Sequence, residues 1–247
     1  QLDGQHWWQV FVDANSGELV DKMDWVVSCD FDGPGHAAAK HQHIKKTFKS
    51  APMAPPAGQG QYNVFALPVE SPVHGSRTID FSPSDTVASP FGWHDTNGVA
   101  GADYSYTRGN NVYAYSDAAA ANTPGYSPNG GANLNFNFPL NLAQAPLGYQ
   151  DAAITNLFYI CNRIHDIFYH YGFDESNGNF QLNNYGNGGA GNDHVMAEAQ
   201  DGGGNNNANF ATPADGGNGR MQMYLWGGTG GSSTLLNVNS PSVISGM

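Results

Sequence analysis

The sequence predicts an α+β fold, and three observations carry that prediction. Over residues 62 to about 138, the runs YNVFALPV, RTIDF, GVAGADYSY, NNVYAYS and NLNFNFPLN are short and separated by Gly, Pro and Asn turns, the pattern of brief strands. Over residues 151–171, apolar side chains recur at helical spacing. Beyond that helix, DHVMAEAQD, the stretch 206–212 and RMQMYLW read as three more strands. The expected architecture is a β-rich body with one long helix.

The chain opens on two apolar runs, WWQVFV and LVDKMDWVV, on either side of DANSGE. An Asn-Ser-Gly turn between apolar runs predicts a β-hairpin, and nothing in it can do chemistry. Residues 36–48 fit a short helix, and APMAPPAGQGQ after it has no apolar period and reads as a linker. Lys40, Lys45, Lys46 and Lys49 gather four of the nine basic residues here. That concentration fits either a solvated linker or an exposed segment open to proteolysis. Cys29 and Cys161 are the two cysteines, and both a disulfide and two buried thiols are compatible with the count.

The strands over residues 62–138 are expected to form an antiparallel, twisted sheet with one wet face. Asp85, His94, Asp95 and Asp103 are scattered through it and are expected at the surface or capping turns. In the helix, Ile154, Leu157, Cys161, Ile164, Phe168 and Tyr171 follow at spacings of 3, 4, 3, 4 and 3, one buried stripe. Phe158 and Ile167 widen it, and Gly172 is placed to end it as a C′ residue. His165 and His170 are five apart, so they point roughly 140° away from each other and cannot act as an i, i+4 ligand pair. The Gly- and Asn-rich residues 173–219 suit either a binding rim or a plain surface loop. Asp174, Glu175, Asp193, Glu198, Asp201 and Asp215 lie in this stretch, and oxygen ligands in such loops would suit calcium.

Composition excludes some function classes. The formal net charge is −12 with only nine Lys and Arg, a field that repels a phosphate backbone and argues against nucleic acid. No apolar run reaches 18 residues, so no transmembrane helix is expected. There is no G-x-S-x-G elbow, P-loop, C-x-x-C or H-E-x-x-H, and none of the nine histidines is followed by Glu. His41 and His43 form only an H-x-H pair in the basic segment.

Longer strings carry a family resemblance. NLFYICNRIHDIFYHYGFDESNGNFQ (156–181), NNYGNGGAGNDHVMAEAQDGGGNNNANFATPADG (183–216) and RMQMYLW (220–226) resemble, in order and spacing, the fungalysin (M36) family of zinc metallopeptidases. WWQVFVDANSGELV resembles the last strands of the pro-domain that precedes such enzymes. The resemblance implies a secreted, extracellular protease precursor of the thermolysin-like superfamily, cut from its own pro-domain in the basic segment. The implied organisation is residues 1–35 as the end of a pro-domain and 36–61 as the linker with the maturation site. Residues 62–230 would be the β-rich N-terminal lobe of the peptidase domain, and 231–247 the start of an inserted protease-associated domain.

In the family an Asn-Ala pair on an edge strand binds peptide substrate by β-addition. Carried onto NNNANF, the pair falls on Asn207 and Ala208, with Asn207 bonding substrate backbone and Ala208 offering its carbonyl. Family members place H-E-x-x-H after the RMQMYLW strand, and this sequence has no such motif there. The resemblance thus implies zinc for the complete enzyme, ligands outside this chain, and the C-terminal half of the peptidase domain as partner. No catalytic or metal residue is assigned within the chain. The competing expectation is a non-catalytic, β-rich module that binds peptide or carbohydrate, or a pro-domain acting as inhibitor.

Overall fold

The computed structural model describes residues 8–12, 19–24, 60–69, 71–72 and 74–225. The chain divides into two units, Gln1–Ser50 and Ala51–Met247. In the first, β1 (Trp8–Val12) and β2 (Leu19–Asp24) pair antiparallel, with a register shift between Phe11 and Val12. This is the expected hairpin. The basic segment with His41 and His43, Cys29 and residues 231–247 lie outside the described residues.

Among the described residues of the second unit there are two sheets and one α-helix. One sheet has the order β4–β3–β6, from β3 (Gln61–Val64), β4 (Thr78–Phe81) and β6 (Asn135–Phe136). The other has the order β5–β7–β9–β8, from β5 (Val112–Ser116), β7 (Val195–Asn205), β8 (Ala208–Ala211) and β9 (Arg220–Leu225). The expected antiparallel sheet is corrected: β3–β6, β5–β7 and β7–β9 are parallel. Long connections make this possible, because a parallel return needs a crossover, and the helix α1 (Gln150–Tyr169) lies in sequence between β5 and β7. GVAGADYSY forms no strand beyond a single bridge at Tyr106. Gly98 and Gly101 turn to positive φ there, which breaks an extended run.

The first three turns of α1 are buried on nearly every side, from Ala152 to Asn162. Tyr62, Trp93, His94, Phe136, Phe158 and Tyr159 pack around it with ring centroids 4.9–6.2 Å apart. Each fully buried ring stabilises the fold by about 1.5–3 kcal/mol through area removed from water. Asn156 Oδ1 accepts the Phe65 N–H at 2.8 Å, and Asn162 accepts from Asn111 and donates to the Phe158 carbonyl. Those amides fasten the helix to the strands beside it.

The C-terminal half of the stripe departs from expectation. Ile164, Phe168 and Tyr171 are 43%, 52% and 83% exposed, so helical spacing alone overstated the buried length. The stop matches: Phe173 N–H reaches the Phe168 carbonyl and Gly172 N–H the Tyr169 carbonyl, with Gly172 at φ 92. That is a Schellman motif with Gly172 at C′. The scattered polar residues divide. Asp85 and Asp103 cap exposed turns. Asp95 also caps a turn, at Gly98, but is buried. His94 does neither, being 2% exposed among the core rings.

Candidate functional site

Among the described residues β8 is the outermost strand of its sheet: one of its edges pairs with β9 and the other has no partner strand. The Tyr224 N–H donates to the Asn207 carbonyl at 3.3 Å, and Ala208 stands opposite Met223. In an antiparallel pair, successive residues turn their backbone groups alternately toward and away from the partner. Asn207 and Asn209 therefore face β9, while Ala208 and Phe210 present N–H and C=O outward. The Asn207 side-chain oxygen accepts the outward Ala208 N–H at 2.8 Å. The outward carbonyl of Ala208 lies on the open edge. Asn207 is exposed and Ala208 half-buried.

The edge is braced from behind. Asn209 Nδ2 donates to the Tyr224 hydroxyl at 2.7 Å. Phe210 lies against Phe180 with centroids 5.6 Å apart and borders a hollow of about 170 Å³. Ile164, Phe168 and Phe173 from the end of α1 and the loop after it also line the hollow, together with Met221 of β9. The half-exposed end of the helical stripe thus faces the same hollow as the edge strand. Cys161 also lines it, as a free thiol that burial pushes up to about 12, which removes it as a nucleophile at neutral pH.

The expected calcium carboxylates do not form one site. Asp174 accepts from Ser176 and Asn177, Glu175 from Asn187, and Asp215 from the Ala190 N–H. Asp193 takes the N–H groups of Gln181 and Gly216. Only Glu198 and Asp201 come together, and the residue that joins them is Asp117, which sequence reasoning missed. His165 and His170 part as their spacing requires: His165 meets Asp166 at 3.1 Å and His170 meets Asp85 at 3.0 Å.

Residues 61–234 match the family model described as Fungalysin metallopeptidase (M36). The chain is 46% identical over 228 residues to extracellular metalloproteinase 2 of Trichophyton tonsurans, covering 90% of this chain and 30% of that protein. It is 40% identical over 229 residues to extracellular metalloproteinase 3 of Arthroderma otae, again covering 90% and 30%. Against the extracellular metalloproteinase mep of Aspergillus flavus the identity is 46% over 171 residues, 68% of this chain and 26% of that one. The chain belongs to the fungalysin metallopeptidase family. It spans about a third of the length of the curated relatives it matches.

Proposed function

We propose that this chain is the substrate-binding portion of an extracellular zinc endopeptidase, and that β8 takes the peptide by adding it as a further strand. The observation that carries the reading is the open edge at Ala208, whose carbonyl points away from β9 beside an exposed Asn207. Strand addition uses such unpaired backbone groups for affinity and neighbouring hollows for side chains. The relatives are named extracellular metalloproteinases, which supports an extracellular setting. Among the described residues no helix is long and apolar enough to cross a membrane.

The described residues do not fit a peptidase zinc. Among the described residues, the one group of three or more potential ligands is Asp117, Glu198 and Asp201, all oxygen donors, whereas catalytic zinc takes histidine nitrogen for most of its ligands. On this reading zinc and its histidines belong to the C-terminal half of the peptidase domain, which this chain meets as its partner. Residues 1–35 are then the end of the pro-domain and 36–61 the linker that is cut. Residues 62–230 form a thermolysin-like N-terminal lobe, and 231–247 begin an inserted domain.

The test is Ala208→Pro in the full-length secreted polypeptide. Ala208 directs its N–H away from β9, so proline there removes no β8–β9 ladder bond but blocks the open edge. The expected result is a fall in kcat/KM of about 10- to 100-fold with thermal unfolding shifted by only a few degrees. In the 247-residue chain alone, an extended peptide should slow amide exchange at Ala208 and Phe210. Unchanged kcat/KM together with unchanged exchange would remove the strand-addition reading. Mass and zinc content of the native protein separate the alternatives: a longer chain with one zinc supports the peptidase, and a zinc-free 26.3 kDa protein without proteolysis supports a non-catalytic module.

A further inference from the structure

Asp117, Glu198 and Asp201 are 3%, 0% and 1% exposed, and one ligand oxygen from each lies within 4.8 Å of the others. The sheet explains their meeting. Tyr115 of β5, Glu198 of β7 and Gln222 of β9 are in register, and Asp117 follows directly after β5. On a regular strand Glu198 and Asp201, three apart, would face opposite sides. A register shift between Ala199 and Asp201 intervenes, with Gln200 at φ 51, and a bulge of this kind re-aims the next side chain.

The donors around the cluster are few. Asp117 receives the Ala121 and Asn122 N–H groups at 2.8 Å each. Asp201 receives the Gly203 N–H and the Gln222 amide at 2.5 and 2.7 Å. Glu198 Oε1 receives the Tyr115 hydroxyl at 2.9 Å and lies 3.7 Å from the Arg220 guanidinium. Among the described residues the buried Glu198 Oε2 has no donor, and the carboxylate beside Glu198 is that of Asp201. Three buried carboxylates against one part-exposed guanidinium leave two negative charges to neutralise, and buried charge without a partner costs several kcal/mol. One shared proton removes half of that excess. One divalent cation removes all of it.

We infer that Asp117, Glu198 and Asp201 bind a hard divalent cation, calcium, with Glu198 Oε2 as the ligand that no donor among the described residues serves. An all-oxygen set selects calcium, magnesium or manganese over zinc. Carboxylates spread over a bulge and a strand end fit calcium's tolerant geometry better than magnesium's strict octahedron. The site has a structural consequence. Asp201 already ties Gly203 and Gln222 together, and the residues from Gly203 to Asn206 lead into β8. A cation there would fix the approach to the edge strand, a consequence that rests on the proposed function, whereas the binding itself does not.

The experiment titrates the 247-residue chain with calcium, following thermal unfolding, and with terbium, following emission excited through tyrosine. Tyr115 touches Glu198, so bound terbium should light up. The expected result is a saturable rise in Tm of several degrees, and terbium emission rising at least fivefold and displaced by calcium. Glu198→Gln and, separately, Asp117→Asn should each lose both responses while remaining folded by circular dichroism. Asp215→Asn, outside the cluster, should keep them. No response up to about 10 mM calcium, above the range of weak extracellular sites, would overturn the inference. So would a response that survives both Glu198→Gln and Asp117→Asn.

Discussion

Two buried acidic centres in this unit look alike by burial and differ in their donors. Asp166, on α1, is 2% exposed and accepts from Trp93 Nε1 at 2.8 Å, Ser89 Oγ at 2.7 Å, the Asp85 N–H at 3.0 Å and His165 Nδ1 at 3.1 Å. Both of its oxygens are served, and the donors come from loops and helix alike. Glu198, on β7, is equally buried, yet one of its oxygens has no donor among the described residues, and Asp201 lies beside it. The first centre is a finished structural anchor: it fastens the 83–95 loop to the helix. The second is unfinished within the described residues. Burial alone therefore does not tell a structural acid from a ligand; the count of donors per oxygen does.

The largest expected effect tests the finished centre. Asp166→Ala would strand the Trp93 indole N–H and the Ser89 hydroxyl in the core and release the loop. Removing one partner from a buried network of charge-assisted hydrogen bonds costs about 3–5 kcal/mol. Urea unfolding of the 247-residue chain should show that loss, and it should be the same with and without calcium. A loss below about 1 kcal/mol would mean that the four donors find water or each other, and the contrast between the two centres would fail.

The next effect concerns pH. His94 Nδ1 is 3.0 Å from the Arg108 carbonyl, which can only accept, so Nδ1 carries the proton and Nε2 accepts from the Tyr62 hydroxyl at 2.9 Å. Burial among rings holds the imidazole neutral and lowers its pKa to about 4. His194 is lowered to about 4 in the same way, by burial and then by the Arg108 charge. A histidine depressed in the folded state is protonated first in the unfolded chain. Its contribution is complete above the unfolded pKa near 6.5 and is lost as pH falls toward about 4. For His94 this amounts to about 3 kcal/mol across that window. Stability measured from pH 7 to pH 4.5 should fall accordingly, and His94→Gln should flatten much of the slope. A slope unchanged by that substitution would place the pH response elsewhere.

How far the sequence anticipated these two centres follows from the range of the signals involved. The β1–β2 hairpin, the strands β3, β5, β7 and β9, the edge position of residues 206–212 and the Gly172 stop were legible, because each depends on neighbours within one turn or one strand. Strand direction was not. Parallel pairing of β5 with β7 depends on what lies between them, and alternation within a strand is the same for either direction. The exposed end of the helical stripe was misjudged because period 3.6 reports a face and not what covers it. Glu198 and Asp201 were visible as oxygen ligands in a Gly-rich stretch. Asp117 was not, since it lies 81 residues before Glu198 and reaches it only through a parallel ladder. His94 shows the converse: a histidine among polar residues gave no sign that three rings, Tyr62, Phe136 and Phe158, would stack on it.

The smallest expected effect is also the one that separates the two centres by sign. Glu198→Gln keeps the shape, removes one of three crowded charges and offers an amide N–H to the Asp201 carboxylate. In calcium-free buffer it should stabilise the chain by about 1–2 kcal/mol, as replacing an uncompensated buried charge does. Asp166→Asn makes the same chemical change where the anion is fully served. It turns one acceptor oxygen into a donor facing two of the four donors, either the Trp93 indole and the Asp85 N–H or Ser89 and His165, and should destabilise by about 1–3 kcal/mol. Both are read from urea midpoints under identical conditions. Opposite signs mean that donor count, rather than burial or charge, distinguishes a site waiting for a ligand from a structural anchor. Equal destabilisation by the two substitutions would mean that Glu198 is as well satisfied as Asp166, and that the carboxylate cluster is held together by the protein alone.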